Sequence, residues 1–167
     1  MRNSVLALGL VAVSCSAPQN TPAAPAAPAP TSAKPASTSG PRVILPDGAV
    51  IQVELATDDA TRMQGLMYRD RLAEDRGMLF FFLKSDNYPF WMKNTLIPLD
   101  MVWIDDQRRI AHVSSNVPPC KADPCPSYDP KATAKYVLEL AAGVAAKHHL
   151  ADGQTVRFEA MDNVVVR

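Results

Sequence analysis

Phe90-Trp91-Met92-Lys93-Asn94-Thr95-Leu96-Ile97-Pro98-Leu99-Asp100 is the stretch on which the fold turns. Aromatic and thioether anchors open it, an ammonium, an amide and a hydroxyl fill its middle, and a carboxylate closes it. Apolar runs lie on both sides, Gly77-Met78-Leu79-Phe80-Phe81-Phe82 before it and Met101-Val102-Trp103-Ile104 after it. Such a segment reads as the middle of a β-rich core that turns a few polar groups toward one place. Pro89 and Pro98 bracket it, and because proline offers no N–H to a sheet ladder, the stretch does not read as one uninterrupted central strand.

Working outward, the apolar pattern gives short strands joined by turns. Arg42–Leu45 and Ala49–Leu55 flank Pro46-Asp47-Gly48 and predict a hairpin. Thr57-Asp58-Asp59 predicts a helix start, with the Thr57 hydroxyl as cap, and Gly65 its end. Gly77–Leu83 predicts a strand. Its consecutive Phe80, Phe81 and Phe82 put bulky rings on both faces, so a closed barrel or a covered sandwich is needed to bury all three. Asp100–Asp105, Arg108–Ser115, Lys135–Leu140 and Gln154–Met161 predict further strands, and Ala141–Leu150 a second helix. Val164–Val166 is expected to pair at an edge. The fold class is mainly β: a compact antiparallel barrel-like or sandwich domain with two short helices.

Before this domain lies a different kind of chain. Residues 1–15 read as a signal: Arg2 is the basic region and Val5–Val13 an apolar run too short to span a bilayer. Ala12-Val13-Ser14-Cys15 looks like a lipobox, which makes Cys15 the lipidated residue and the protein a membrane-anchored periplasmic lipoprotein. Cleavage near Ala17, leaving a soluble periplasmic protein, is the alternative. Residues 16–40 are proline, alanine, serine and threonine, with Lys34 as their one charge. Such a composition cannot offset its ordering entropy, and it predicts a disordered linker reaching up to roughly 80 Å. Residues 41–167 are the β-rich domain. Cys120 and Cys125 are expected to form a disulfide, as an exported protein allows.

Seventeen Lys and Arg balance seventeen Asp and Glu. Without a basic field, nucleic acid is not an expected partner. No cofactor motif or metal-ligand spacing is present. His148 and His149 are adjacent and diverge on a helix, and Met63, Met67, Met78, Met92 and Met101 sit in apolar contexts that read as core filling.

Gly65-Leu66-Met67-Tyr68-Arg69, Gly77–Phe82, Phe90–Thr95, Ile97-Pro98-Leu99-Asp100 and Tyr136-Val137-Leu138-Glu139 carry a resemblance. In order and spacing they resemble the signature blocks of the domain of unknown function 192 family over about Val43 to Phe158. The resemblance implies a compact barrel-like β-domain, often exported behind a signal or lipid anchor, and no established activity. The Cys120/Cys125 loop also resembles exported members.

Lys93, Asn94, Thr95 and Asp100 lie close in sequence, and Arg69 and Glu139 lie in other blocks. Brought together beside Trp91, they would hold a small polar or anionic ligand or an envelope component. Arg69 and Lys93 would supply charge-assisted bonds, Asn94 hydrogen bonds and Trp91 a stacking face. Two other readings use the same residues. One is an envelope enzyme of hydrolase type acting through Asp100, Lys93 or Glu139. The other is a structural network in which Asp100 accepts backbone or Arg69 hydrogens.

Overall fold

The computed structural model describes residues 40–167. The signal, Cys15 and the linker up to residue 39 lie outside the described residues. The first hairpin is as expected: β1 (Arg42–Ile44) and β2 (Val50–Ala56) pair antiparallel, with Val43 opposite Ile51. Its turn is closed by a Gly48 N–H donating to the Leu45 carbonyl at 2.9 Å.

Helix α1 (Asp59–Gln64) starts one residue later than expected. Its cap is Asp58, not Thr57. The Asp58 carboxylate accepts the Thr61 N–H at 2.9 Å while the Thr61 hydroxyl accepts the Asp58 N–H at 3.2 Å. This reciprocal pair satisfies two otherwise orphaned donors, which a cap at Thr57 would not. Gly65 ends the helix at φ +47, with its Cα side against the Phe80 ring.

β3 (Arg76–Asp86) follows and lies parallel to β2, Val53 opposite Gly77 and Ala56 opposite Phe80. The other pairings of the sheet are antiparallel as expected, and this one makes the sheet mixed. A long connection carrying a helix brings the chain back to start a second strand in the same direction, which a tight turn cannot do. β4 (Phe90–Trp91) is only a two-residue strand, paired with β7 (Ser127–Tyr128) in a separate small sheet. β5 (Leu99–Ile104) pairs on one side with β6 (Ile110–Val117) and on the other with β8 (Ala134–Ala141), both antiparallel.

Helix α2 (Val144–Lys147) is a single turn, shorter than the expected Ala141–Leu150. Ala141 stays in β8 opposite Leu99, and Gly143 at φ +91 makes the break between strand and helix. β9 (Arg157–Glu159) pairs with β1. It too is shorter than expected, because the residues before it bond elsewhere. Ile110 N–H donates to the Gln154 carbonyl at 2.8 Å, and Val156 N–H to the Arg108 carbonyl at 3.0 Å. Val164 and Val166 pack as side chains rather than forming an edge strand.

The large sheet runs β6-β5-β8-β3-β2-β1-β9. It is not a closed barrel: β6 and β9 are its edges, tied at one end by the segment just before β9. Both faces are covered and the architecture is sandwich-like, with Phe80 and Phe81 buried and Phe82 half-buried. Alternation along each strand divides the core in two. Leu79, Phe81, Val102, Ile104, Tyr136, Leu138 and Leu140 face one cluster, closed over by Val144 of α2 and by Val156. Met78, Phe80, Met101, Trp103 and Val137 face the other, closed over by Leu66, Met92 and the half-buried Phe90, Ile97 and Cys120. The stretch quoted at the outset is thus the lid of this second core.

Candidate functional site

The alternation that builds the two cores also sorts the polar residues. Asp100 shares its face of β5 with Val102 and Ile104, and Glu139 shares its face of β8 with Val137. The two carboxyl groups therefore point to opposite sides of the sheet. Asp100 is fully buried and accepts N–H groups from Asn116 and Ala145, each at 2.7 Å. It fastens the end of β6 and the start of α2 to β5. Asp100 accepts backbone hydrogens and lines neither of the cavities that Lys93 lines.

Arg69 also leaves the expected cluster. Its guanidinium is held by both oxygens of Glu54, at 2.5 and 2.7 Å. This pair keeps the Glu54 carboxyl below the usual carboxylate range. Arg69 lines a groove of about 410 Å3 with Arg71 and Arg76, and Lys93 is not among that groove's residues. Arg69 does act on Glu139, whose ionised form its charge favours.

Glu139, Thr95, Lys93 and Trp91 do come together. They line a cavity of about 30 Å3 with Arg62–Met67, Phe80 and Phe90. Glu139 forms its floor, held in β8 between Met78 of β3 and Met101 of β5. Only 5% of its surface is exposed, and among the described residues no polar group reaches its Oε2. Burial among thioethers and rings pushes its carboxyl up to about 8, with Arg69 pulling the other way. At neutral pH it is mostly the protonated, neutral acid.

Thr95 is buried beside it, its N–H donating to the Met92 carbonyl at 3.2 Å. Lys93 reaches over the Trp91 ring, 5.5 Å from its centre, and its second neighbour is Asp123 at 3.7 Å. Asn94 sits at φ +55, a conformation asparagine tolerates better than most residues. Its carbonyl accepts the Tyr68 N–H at 2.8 Å and its amide approaches the Met67 sulfur at 3.7 Å. Asn94 thus couples the segment after α1 to the turn that carries Lys93.

The expected disulfide between Cys120 and Cys125 is formed, with Cα atoms 5.6 Å apart. Its loop lies against Lys93 and Asn94, and the Cys120 N–H donates to the Met92 carbonyl at 3.4 Å. The staple therefore supports the turn that carries the site. Among the described residues no three His, Cys, Asp or Glu converge as metal ligands, and no helix is long and apolar enough to cross a membrane.

Sequence reasoning missed the groove beside the cavity. Arg62 and Met63 of α1 face Phe82, Tyr88, Pro89, Phe90 and Trp91 across a space of about 420 Å3. Phe82 and Tyr88 stack at 3.7 Å and 11°. Arg62 is pinned by a bond to the Phe81 carbonyl at 2.8 Å and an ion pair with Asp59 at 2.7 Å. The available signal was the third phenylalanine of the run: Phe82 is half-buried against the second core on the same face as Phe80, and its remaining face lines the groove.

The DUF192 family model, described as "Uncharacterized ACR", matches residues 42–158. The chain belongs to the DUF192 family. Two solved structures share this DUF192 fold. One, from Sinorhizobium meliloti 1021, is described as a "putative transcription regulator". It is 38% identical with a TM-score of 0.62, over 71% of this chain and 91% of that one. The other, a protein of unknown function from Novosphingobium aromaticivorans DSM 12444, is 31% identical with a TM-score of 0.63, over 70% and 82%. No curated protein matches the chain.

Proposed function

We propose that this DUF192 protein is an extracytoplasmic binding module, lipid-anchored at Cys15, that takes a small polar ligand at Glu139. The observation that carries this reading is that Glu139, whose buried Oε2 has no partner among the described residues, lines a cavity. Buried polar atoms are nearly always satisfied, so an orphan on a residue that lines a cavity favours a partner that arrives from outside. The cavity has about the volume one water occupies, enough for one polar atom of a ligand. The disulfide favours an oxidising compartment, which agrees with export.

Binding fits better than catalysis. Of the acids once considered, Asp100 is committed to two backbone donors on the far face, and Glu139 has no second carboxyl beside it in the cavity. The name of the Sinorhizobium relative does not transfer easily, since a chain of zero net charge lacks the field that holds phosphate backbones.

A thermal-shift screen of small acids, alcohols and amines tests the reading, run on the protein and on Lys93→Ala and Glu139→Leu. Ligands that raise the melting temperature of the parent and lose their effect in either variant are expected. A screen in which no compound stabilises the parent sinks it.

A further inference from the structure

The cavity over Glu139 and the aromatic groove share four lining residues, Arg62, Met63, Phe90 and Trp91. They are therefore two parts of one cleft, a narrow polar pit opening into a broad, mainly apolar trough that also carries the Asp59–Arg62 ion pair. We propose that the ligand is a small carboxylic acid with an aromatic or aliphatic body, its carboxylate between Glu139 and Lys93 and its body on the trough of Phe82, Tyr88, Phe90 and Trp91. This rests on the cavity being a ligand site, as proposed above.

The charge around the pit selects the head group. The charged groups near Glu139 are Arg62 from α1, Arg69 from the segment after it, and Lys93 from the turn over β5. Its neighbours on β3 and β5 are Met78 and Met101, which carry no charge. All three charges are positive, and no other carboxyl lines the pit. An amine entering there is repelled and an anion is attracted.

Arg62 is already engaged by Asp59, and Arg69 by Glu54. Lys93 is less committed: Asp123 lies at 3.7 Å and is itself 71% exposed, so solvent screens the pair. The ammonium remains available to a ligand. A neutral Glu139 donates its O–H to a carboxylate oxygen, a charge-assisted bond stronger than one to a neutral acceptor.

Size selects within the anions. About 30 Å3 admits one oxygen and excludes a ring or the bulk of a phosphoryl group. The body must therefore lie outside the pit, where Met63 and Trp91 stand 72% and 49% exposed beside the stacked Phe82 and Tyr88. Large apolar side chains left out of two otherwise covered cores, and gathered around one groove, mark a surface that takes an apolar partner.

The test is a titration of the whole protein with phenylacetate, octanoate, benzyl alcohol and benzylamine at about pH 6.5 and about pH 9.5, values either side of the Glu139 titration. Affinity is read by calorimetry and by Trp91 fluorescence, with Trp91→Phe separating its signal from that of Trp103, the second of two tryptophans. Both acids are expected to bind at the lower pH about tenfold more tightly than benzyl alcohol, and benzylamine not at all. Ionised Glu139 repels a carboxylate, so the acids should weaken about tenfold at the higher pH. Glu139→Gln keeps a donor and loses the charge, so it should bind at both pH values alike, while Lys93→Ala loses about tenfold at either. Benzyl alcohol or benzylamine binding as well as phenylacetate, and failing in Glu139→Gln, overturns the carboxylate assignment and leaves the site standing. Silence from all four probes overturns both.

Discussion

At Asp100 a buried carboxylate has two backbone donors at 2.7 Å, and at Glu139 a buried carboxyl oxygen has none among the described residues. The first group stabilises. Replacing it in Asp100→Ala leaves the N–H groups of Asn116 and Ala145 without their acceptor, at a cost of about 3 kcal/mol. Urea unfolding should show that loss, with the ligand response of the folded fraction unchanged. The second group destabilises when it ionises. Its folded-state pKa of about 8 lies above its unfolded value of 4.5, so the folded protein retains a proton that the unfolded chain has released. Stability is therefore full below the unfolded value and declines as pH rises toward 8, by at most about 1.4 kcal/mol per pH unit. Melting curves of the parent and Glu139→Gln should diverge across that window, the variant being the more stable at its upper end. Parallel curves would mean that Glu139 ionises freely. Both residues were singled out in the sequence, but their different fates were not legible there. Whether a carboxyl finds donors depends on the loops that cross above its strand, and Asn116 and Ala145 are distant in the chain.

At the scale of elements, most strands were readable, because period-two alternation and turn residues are local signals. The first hairpin and β3, β5, β6 and β8 stand close to their expected positions. What failed were boundaries and pairings. α2 and β9 came out short because Gly143 and the Arg108–Ile110 segment compete for the flanking residues. The parallel pairing of β2 with β3 leaves no local mark in either strand. Gly77 marks a different pairing, that of β3 with β8: a Cβ there would stand 2.7 Å from the Glu139 carbonyl and press on Ile51 and Leu140. Only glycine lets β8 approach β3 so closely there. Gly77→Ala is expected to cost about 1–3 kcal/mol through overpacking. A lower urea midpoint would report it, and an unchanged midpoint would show that the strands give way without strain.

For the whole molecule, the decisive feature is a sheet buried on both faces, and the phenylalanine run tests it directly. Phe80 and Phe81 belong to different cores, at 1% and 7% exposure, while Phe82 lines the open groove. Phe80→Ala and Phe81→Ala should each cost about 3–5 kcal/mol, and Phe82→Ala clearly less. Equal losses at all three, measured by denaturant unfolding, would contradict the two-core description. The run itself announced that both faces are covered, since consecutive residues of a strand point opposite ways and none of these rings is polar. By itself, then, the sequence determined a mainly β domain with two covered faces, a cysteine pair close enough to close a loop, and membership of one family. The first two follow from local periodicity and short spacings, and the family from the resemblance of its signature blocks, all of them present before the chain is packed. Only the tertiary structure decided that Asp100 is held by backbone N–H groups and Arg69 by Glu54, while Glu139, Lys93, Thr95 and Trp91 surround one cavity. Side-chain company across a sheet is set by register and by which loop closes which face, and both arise from contacts between residues far apart in the chain.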